Sequence, residues 1–236
     1  MNDWLVPVLF GLAASGATLL GGVLALRQAA RDAALLAISA GVVLGVAFFD
    51  LLPEAIAIGA LAYPPRAIMV FAAGGLAGYL LLSRTLASLE GPSAWRGHLG
   101  PASLTLHSFL DGLIMGIAFQ IAPDVGWLVA LAVLTHDLAD GLNTVSLALE
   151  TSRRETALRW LAINGAAPLL GVVTGLVVAL PAAALAPVMA TFAGIFLYIG
   201  AVELVPRSLA RDGRLRTTLQ VLGGFALMLA ITAVAD

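Results

Sequence analysis

The sequence predicts an all-α, polytopic membrane protein with eight transmembrane helices and inverted repeats. Composition carries the first part of that reading. Hydrophobic residues make up 61% of the 236 and charged residues only 11%, against about 25% charged in a soluble domain. Mean hydropathy is +1.01. Eight stretches reach the roughly 20 apolar residues needed to cross a bilayer, at 4–26, 33–60, 66–86, 100–121, 125–149, 156–179, 184–208 and 215–235. The repeats are read from polar phrases that recur in pairs within those stretches.

The first stretch opens MNDWLVPVLF, with no basic leader and no small-residue cleavage site, so it reads as a helix and not a signal peptide. The second carries FFDLLPEA (48–55), and Pro-Pro in AYPPR separates it from the third. Gly-Pro pairs in EGPSAWRGHLGP (90–101) mark the link before 100–121, which holds HSFLDG (107–112). The fifth stretch holds HDLADG (136–141), and the sixth holds Asn164 in LAINGAAP. AVELVPRS (201–208) lies at the end of the seventh. The longest polar link, about 87–99, is too small for a soluble module, so residues 1–236 read as a single transmembrane domain. Trp4, Trp95, Trp127 and Trp160 near helix ends read as interfacial anchors.

Arginine sets the orientation. Arg27 and Arg31 follow the first stretch, Arg84 and Arg96 the third, and Arg153, Arg154 and Arg159 the fifth. Arg207, Arg211, Arg214 and Arg216 join the seventh to the eighth, which leaves Arg66 alone on the opposite side. The positive-inside rule puts those links in the cytoplasm and both termini outside, in a multi-pass protein of the cell membrane.

Several function classes fall away. With no cysteine there is no thiolate site and no thiol chemistry. No basic patch suits a nucleic acid. The H-E-x-x-H metalloprotease pattern is absent and no hydroxyl nucleophile pairs with a base, so an enzyme is not expected.

HSFLDG and HDLADG each place Asp four residues after His, then Gly, on stretches that run in opposite directions. FFDLLPEA and AVELVPRS share an acid, Leu, an apolar residue and Pro, again on opposed stretches. Such pairs indicate repeats about an in-plane axis, the architecture of many transporters with a midplane site. In a helix, residues i and i+4 share a face. His107 and Asp111 therefore form one polar edge, extended by Ser103, and His136, Asp140 and Asn143 form another. Asp137 points about 100° away from His136, and Ser108 is displaced likewise from His107. The two edges are expected to meet with one metal between them, leaving Asp137 on the side where Ser108 and Asn164 approach.

Asp111, Asp137 and Asp140 lie at membrane depth with no Lys or Arg in the central part of any helix. Buried charges pair, coordinate metal or take up protons. A cation from solution or a proton is what remains. Two imidazoles beside three carboxylates suit a borderline divalent metal such as Zn, Fe, Mn, Co or Cd. The rival reading is a proton-coupled transporter of another solute that uses the His–Asp pairs as a relay. Glu203 also stands four residues before Arg207, the spacing of a helical ion pair.

These residues resemble the Zrt/Irt-like, or ZIP, family of divalent metal transporters over nearly the whole chain. His107, Ser108, Asp111 and Gly112 stand for its fourth-helix motif, and His136, Asp137, Asp140 and Gly141 for its fifth. Asp50 replaces the His of its second-helix phrase His-Leu-Leu-Pro-Glu, with Glu54 as the acid, and YIGAVELVP resembles its seventh-helix phrase, carrying Glu203. The chain departs from the pattern at Leu110 and Ala139, where proline often precedes the acid, and in using Asp for Glu. Asn164 is the nearest candidate for a sixth-helix acid that some members use. The resemblance implies Zn2+ or another divalent transition metal as transported substrate, uptake toward the cytoplasm, a binuclear-type site between the fourth and fifth helices, and homodimers. It puts Asp50 and Glu54 at the outer mouth and Glu203 near the exit.

The orientation is open to a direct test. A reporter that is active only in the cytoplasm, fused after Asp236, is expected to stay silent, and the same reporter inserted beside Arg153 to be active. Activity at Asp236 overturns the assignment.

Overall fold

The computed structural model describes residues 4–27, 33–88, 96–121, 123–178 and 181–235. Arg31, Trp95 and the centre of the 87–99 link lie outside the described residues. Within them the long elements are all helical: α1 (Leu5–Arg27), α2 (Ala33–Gly45), α3 (Leu52–Gly59), α4 (Pro65–Ser88), α5 (Arg96–Ile121), α6 (Pro123–Thr151), α7 (Arg154–Val177), α8 (Ala186–Tyr198), α9 (Val205–Arg211) and α10 (Leu215–Ala235). Seven helical stretches among the described residues are long and apolar enough to cross a membrane. The other long helix, α6, has 29 residues and carries HDLADG. The eight stretches of the sequence thus correspond to α1, α2 with α3, α4, α5, α6, α7, α8 with α9, and α10.

Two boundaries differ from the sequence reading. The stretches 33–60 and 184–208 are not single α-helices. Six-residue π turns, Val46–Leu51 and Ile199–Leu204, interrupt them. The Leu52 N–H bonds to the Ala47 carbonyl and the Val205 N–H to the Gly200 carbonyl, five residues back in each case. Pro53 and Pro206 follow directly. Proline has no N–H and its ring crowds the carbonyl four residues earlier, so a widened turn relieves the clash. Asp50 and Glu203 occupy the same place in their turns. The second difference is α5, which begins at Arg96 and not beyond the Gly-Pro signal. Contacts hold its first turns: Trp160 Nε1 donates to His98 Nδ1 at 2.8 Å, and Gly100 packs on Leu147.

The helices gather into two compact units. One contains α1, α5, α6 and α7, and the other α2–α4 and α8–α10. In the second unit α2 packs on α9 and the Ile199–Leu204 turn, while α8 packs on α3 and the Val46–Leu51 turn. In that exchange the segments that carry FFDLLPEA and AVELVPRS each pack on the other's turn.

Glycine sets how closely helices approach. Within the first unit, Gly21 of α1 lies on the Leu138 carbonyl of α6 and Gly141 on that of Thr18. Gly112 of α5 lies on the Pro168 carbonyl of α7, and Gly171 on that of Phe109. Within the second unit the same relation joins α2 to α10, through Gly41 on Val221 and Gly224 on Ile38, and α4 to α8, through Gly75 on Thr191 and Gly194 on Ala72. In all four pairs each glycine meets the carbonyl of the residue three before its counterpart. Small residues let membrane helices pack at backbone distance, and Cα–H groups then approach carbonyl oxygens.

The paired helices run parallel. Phe10 stacks edge-on with Trp127 before Gly21 meets Leu138, and Gly45 meets Met228 one turn after Gly41 meets Val221. Gly175 likewise meets the Leu113 carbonyl a turn after Gly171 meets Phe109, and Tyr79 meets Tyr198 a turn after Gly75 meets Thr191. Each pair is separated by an even number of crossings in an eight-span chain, which requires parallel neighbours. Outward positions such as Leu9, Leu12, Leu81 and Leu222 are exposed and apolar, as lipid contact demands.

Between α9 and α10 the link is polar. Asp212 Oδ2 accepts from Arg216 Nε at 2.7 Å and Oδ1 from the Arg214 N–H at 3.2 Å. The hydrogen bond from Arg216 holds this carboxyl below its usual range.

A methyl group at Gly21 would fall inside the van der Waals shell of the Leu138 backbone oxygen, whereas nothing lies within 4 Å of one at Gly74. Gly21→Ala is expected to destabilise the protein by about 1–3 kcal/mol through overpacking. Gly74→Ala is expected to be neutral or stabilising by up to about 1 kcal/mol. Thermal unfolding of both variants in detergent checks the contrast, and equal melting temperatures would contradict it.

Candidate metal centre

The first unit brings together four side chains of metal-ligand type on two antiparallel helices. His107 and Asp111 lie one turn apart on α5, and His136 and Asp140 one turn apart on α6. Their cross-helix contacts are reciprocal. His136 Nε2 and Asp111 Oδ2 are 3.1 Å apart, and His107 Nε2 and Asp140 Oδ2 are 3.8 Å apart. Within α5, His107 Nε2 also lies 3.1 Å from Asp111 Oδ2, so one carboxylate oxygen serves both imidazoles. The two rings face each other at 5.8 Å with 23° between planes. One ligand atom from each of the four residues lies within 4.8 Å of the other three.

The glycines explain why both phrases end in Asp-Gly. Asp111 and Asp140 turn into the cluster. Gly112 and Gly141, one residue on, point about 100° away and receive α7 and α1 at backbone distance. Two apolar clusters bracket the site along α6. Ala130 and Val133 pack with Met115, Val172 and Leu176 on one side, and Val145 and Ala148 with Ala25, Ala157 and Leu161 on the other. All four ligating residues are buried, as are Ser108, Asp137 and Asn164. Among the described residues no arginine is buried.

The chemistry available follows from these spacings. Zinc bonds of about 2.0–2.1 Å in a tetrahedron separate neighbouring ligand atoms by roughly 3.3–3.4 Å. The observed pairs at 3.1 and 3.8 Å bracket that value. Two imidazoles and two carboxylates form a mixed N/O set suited to borderline divalent cations.

The other sequence candidates fall in three places. Asp137 is fully buried outside the group of four, and neither of its carboxylate oxygens has a hydrogen-bond partner. The Ser108 hydroxyl donates to the Leu104 carbonyl at 3.1 Å. Asn164 Nδ2 donates to Thr144 Oγ1 at 2.9 Å. Thr144 was missed in the sequence, although it stands four residues after Asp140 and so one turn along the same side of α6. Asp50 and Glu203 lie in the two π turns, and Glu54 opens the acidic first turn of α3, all half-buried in the second unit. Glu203 forms the ion pair with Arg207 that its spacing allows, at 3.6 Å. Of the tryptophans, Trp4 and Trp127 are about half exposed, while Trp160 is engaged with His98.

Comparison with known proteins adds a family. The ZIP zinc transporter family matches residues 90–232, a stretch that includes every ligating residue above. The zinc transporter ZupT of Shigella dysenteriae serotype 1 (strain Sd197) is 27% identical over 244 aligned positions, covering 94% of each chain. Human zinc transporter ZIP5 is 34% identical over 156 positions, or 59% of this chain and 29% of that protein. Human zinc transporter ZIP6 is 30% identical over 121 positions, 50% of this chain and 16% of its own length. The chain thus spans under a third of those two human relatives. With the match extending over more than half of its length, the chain belongs to the ZIP zinc transporter family.

Proposed function

We propose that this chain is a transporter and not an enzyme, and that it moves zinc toward the cytoplasm, with iron, manganese, cobalt or cadmium as further substrates. His107, Asp111, His136 and Asp140 bind the cation, and the observation that carries this reading is their convergence. They offer four buried ligand atoms on two helices, and among the described residues no buried guanidinium neutralises the carboxylates. Desolvating a cation at membrane depth needs such a set, and alternating access exposes it to each side in turn.

Asp137 belongs to a weaker second position that Ser108 and Asn164 complete only in part, since both side chains already hold other bonds. Asp50 and Glu54 attract cations on the outer side, and Glu203 receives them on the cytoplasmic side by exchanging Arg207 for metal. The termini are extracytoplasmic. Residues 1–236 act as one transport domain, and homodimers follow from the family resemblance.

Purified wild-type protein is expected to bind about one zinc ion firmly, and His107→Ala/His136→Ala to lose it. Asp140→Ala is expected to lower affinity more than tenfold and abolish transport, whereas Asp137→Ala keeps most of the binding. Metal stoichiometry and uptake into vesicles, in folded and inserted protein, separate the cases. Equal and complete loss in both single variants would mean one shared site, and full affinity in Asp140→Ala would refute the ligand set. Transport of another solute without metal would favour the proton-relay alternative.

Protons and metal compete for the same imidazole nitrogens, and metal binding releases protons. Zinc affinity is therefore expected to fall as pH is lowered from 7 to 5. A flat profile over that range would exclude His107 and His136 as ligands.

A further inference from the structure

Asn143 shares the polar edge of α6 with His136 and Asp140 but lies outside the group of four. It is three residues after Asp140 and seven after His136. At 3.6 residues per turn it points within about 20° of His136, about two turns further along. Its side chain is 1% exposed, and neither its amide oxygen nor its amide nitrogen has a hydrogen-bond partner. A buried amide left unpaired costs roughly 1–3 kcal/mol, so a purely structural role gives no reason for a polar group there.

The helix register shows what lies opposite. Along the antiparallel α5–α6 seam, Asp111 faces His136, His107 faces Asp140, and Gly100 faces Leu147. Each step forward on α6 is a step back on α5, which brings Asn143 level with Leu104 and Ser103. Ser103 is half-buried and lies on the His107–Asp111 edge. A neutral amide and a hydroxyl thus stand one turn beyond the His/Asp cluster, on the side of the C-terminal end of α6. Beyond them the seam closes with Leu147 on Gly100.

Resting on the transport reading above, we propose that Asn143, with Ser103 opposite, is a transit station for the divalent cation on its way from the His/Asp cluster toward the C-terminal end of α6. Conduction needs sites that bind strongly enough to admit an ion and weakly enough to release it. Four ligands that include two carboxylates hold a cation tightly. An adjacent position of neutral oxygens replaces part of its hydration without adding charge, and so lowers the barrier to leaving.

The test uses full-length protein with zinc as the probe, in wild type, Asn143→Leu and Asn143→Gln. Leu keeps the branching and heavy-atom count of Asn and removes the unpaired amide. The station predicts that Asn143→Leu binds zinc with unchanged stoichiometry and affinity. Its metal-free form is expected to melt no lower than wild type. Its zinc flux into proteoliposomes should fall on the order of tenfold, and Asn143→Gln should recover part of it. Asn143→Ala, which truncates the amide without adding bulk, serves if the Leu variant inserts poorly. Wild-type flux in the Leu or Ala variant overturns the station and leaves the transport reading intact. Loss of bound zinc would make Asn143 a ligand of the main site, and a lower melting temperature would make it structural; either result also overturns the station. Absence of zinc flux in the wild-type protein overturns the transport reading itself.

Discussion

Three aspartates buried in an apolar bundle, with no arginine buried among the described residues, form an electrostatic problem on which the rest of the structure turns. A carboxylate moved from water to such surroundings either finds a positive partner or takes up a proton. Here the partners at hand are two imidazoles, and each touches a carboxylate on both its own helix and the facing one or shares the same oxygen. Imidazole accepts a metal or a proton at the same nitrogen. The proposed transport site rests on that exchange of one cation for another.

Holding such a cluster at fixed geometry falls to the glycines. Gly112 and Gly141 follow the two ligating aspartates and lock α5 onto α7 and α6 onto α1 at backbone distance. Without a hydrophobic driving force between helices in lipid, tight contact of this kind carries much of the association. The ligand edge and the packing edge of each helix are thus one residue apart. Chemistry and scaffold are written into the same two-residue phrase.

Much of this was legible in the sequence for identifiable reasons. Runs of apolar residues mark the spans because the bilayer sets their length. Spacing of four residues put His107 with Asp111 and His136 with Asp140 on common edges, and their repeated phrase indicated that the edges meet. What escaped the sequence depends on contacts between distant segments. Thr144 looked like an ordinary helical residue until Asn164 arrived from α7. The reciprocal glycines were visible as glycines but not as partners. The π turns escaped because proline announces a broken hydrogen bond without saying how the chain will accommodate it. The start of α5 escaped because Trp160 and Leu147, from α7 and α6, outweigh the local Gly-Pro signal.

A π turn contains one residue more than the helix around it can regularly accept. Deleting one residue would restore a plain α-helix, and adding one to a plain helix would create the turn. This chain carries that extra residue twice, at Val46–Leu51 and Ile199–Leu204, each time with an acid in the fifth position and a proline two residues past the turn's end. Two independent insertions would have had to strike the same register in segments separated by some 150 residues of sequence. Turn, acid and proline recur instead as one unit, at the same spacing in both segments. A one-residue deletion in either turn would therefore rotate its acid by about 100° relative to the proline-bearing segment that follows, and the chain would lose the match between the two segments.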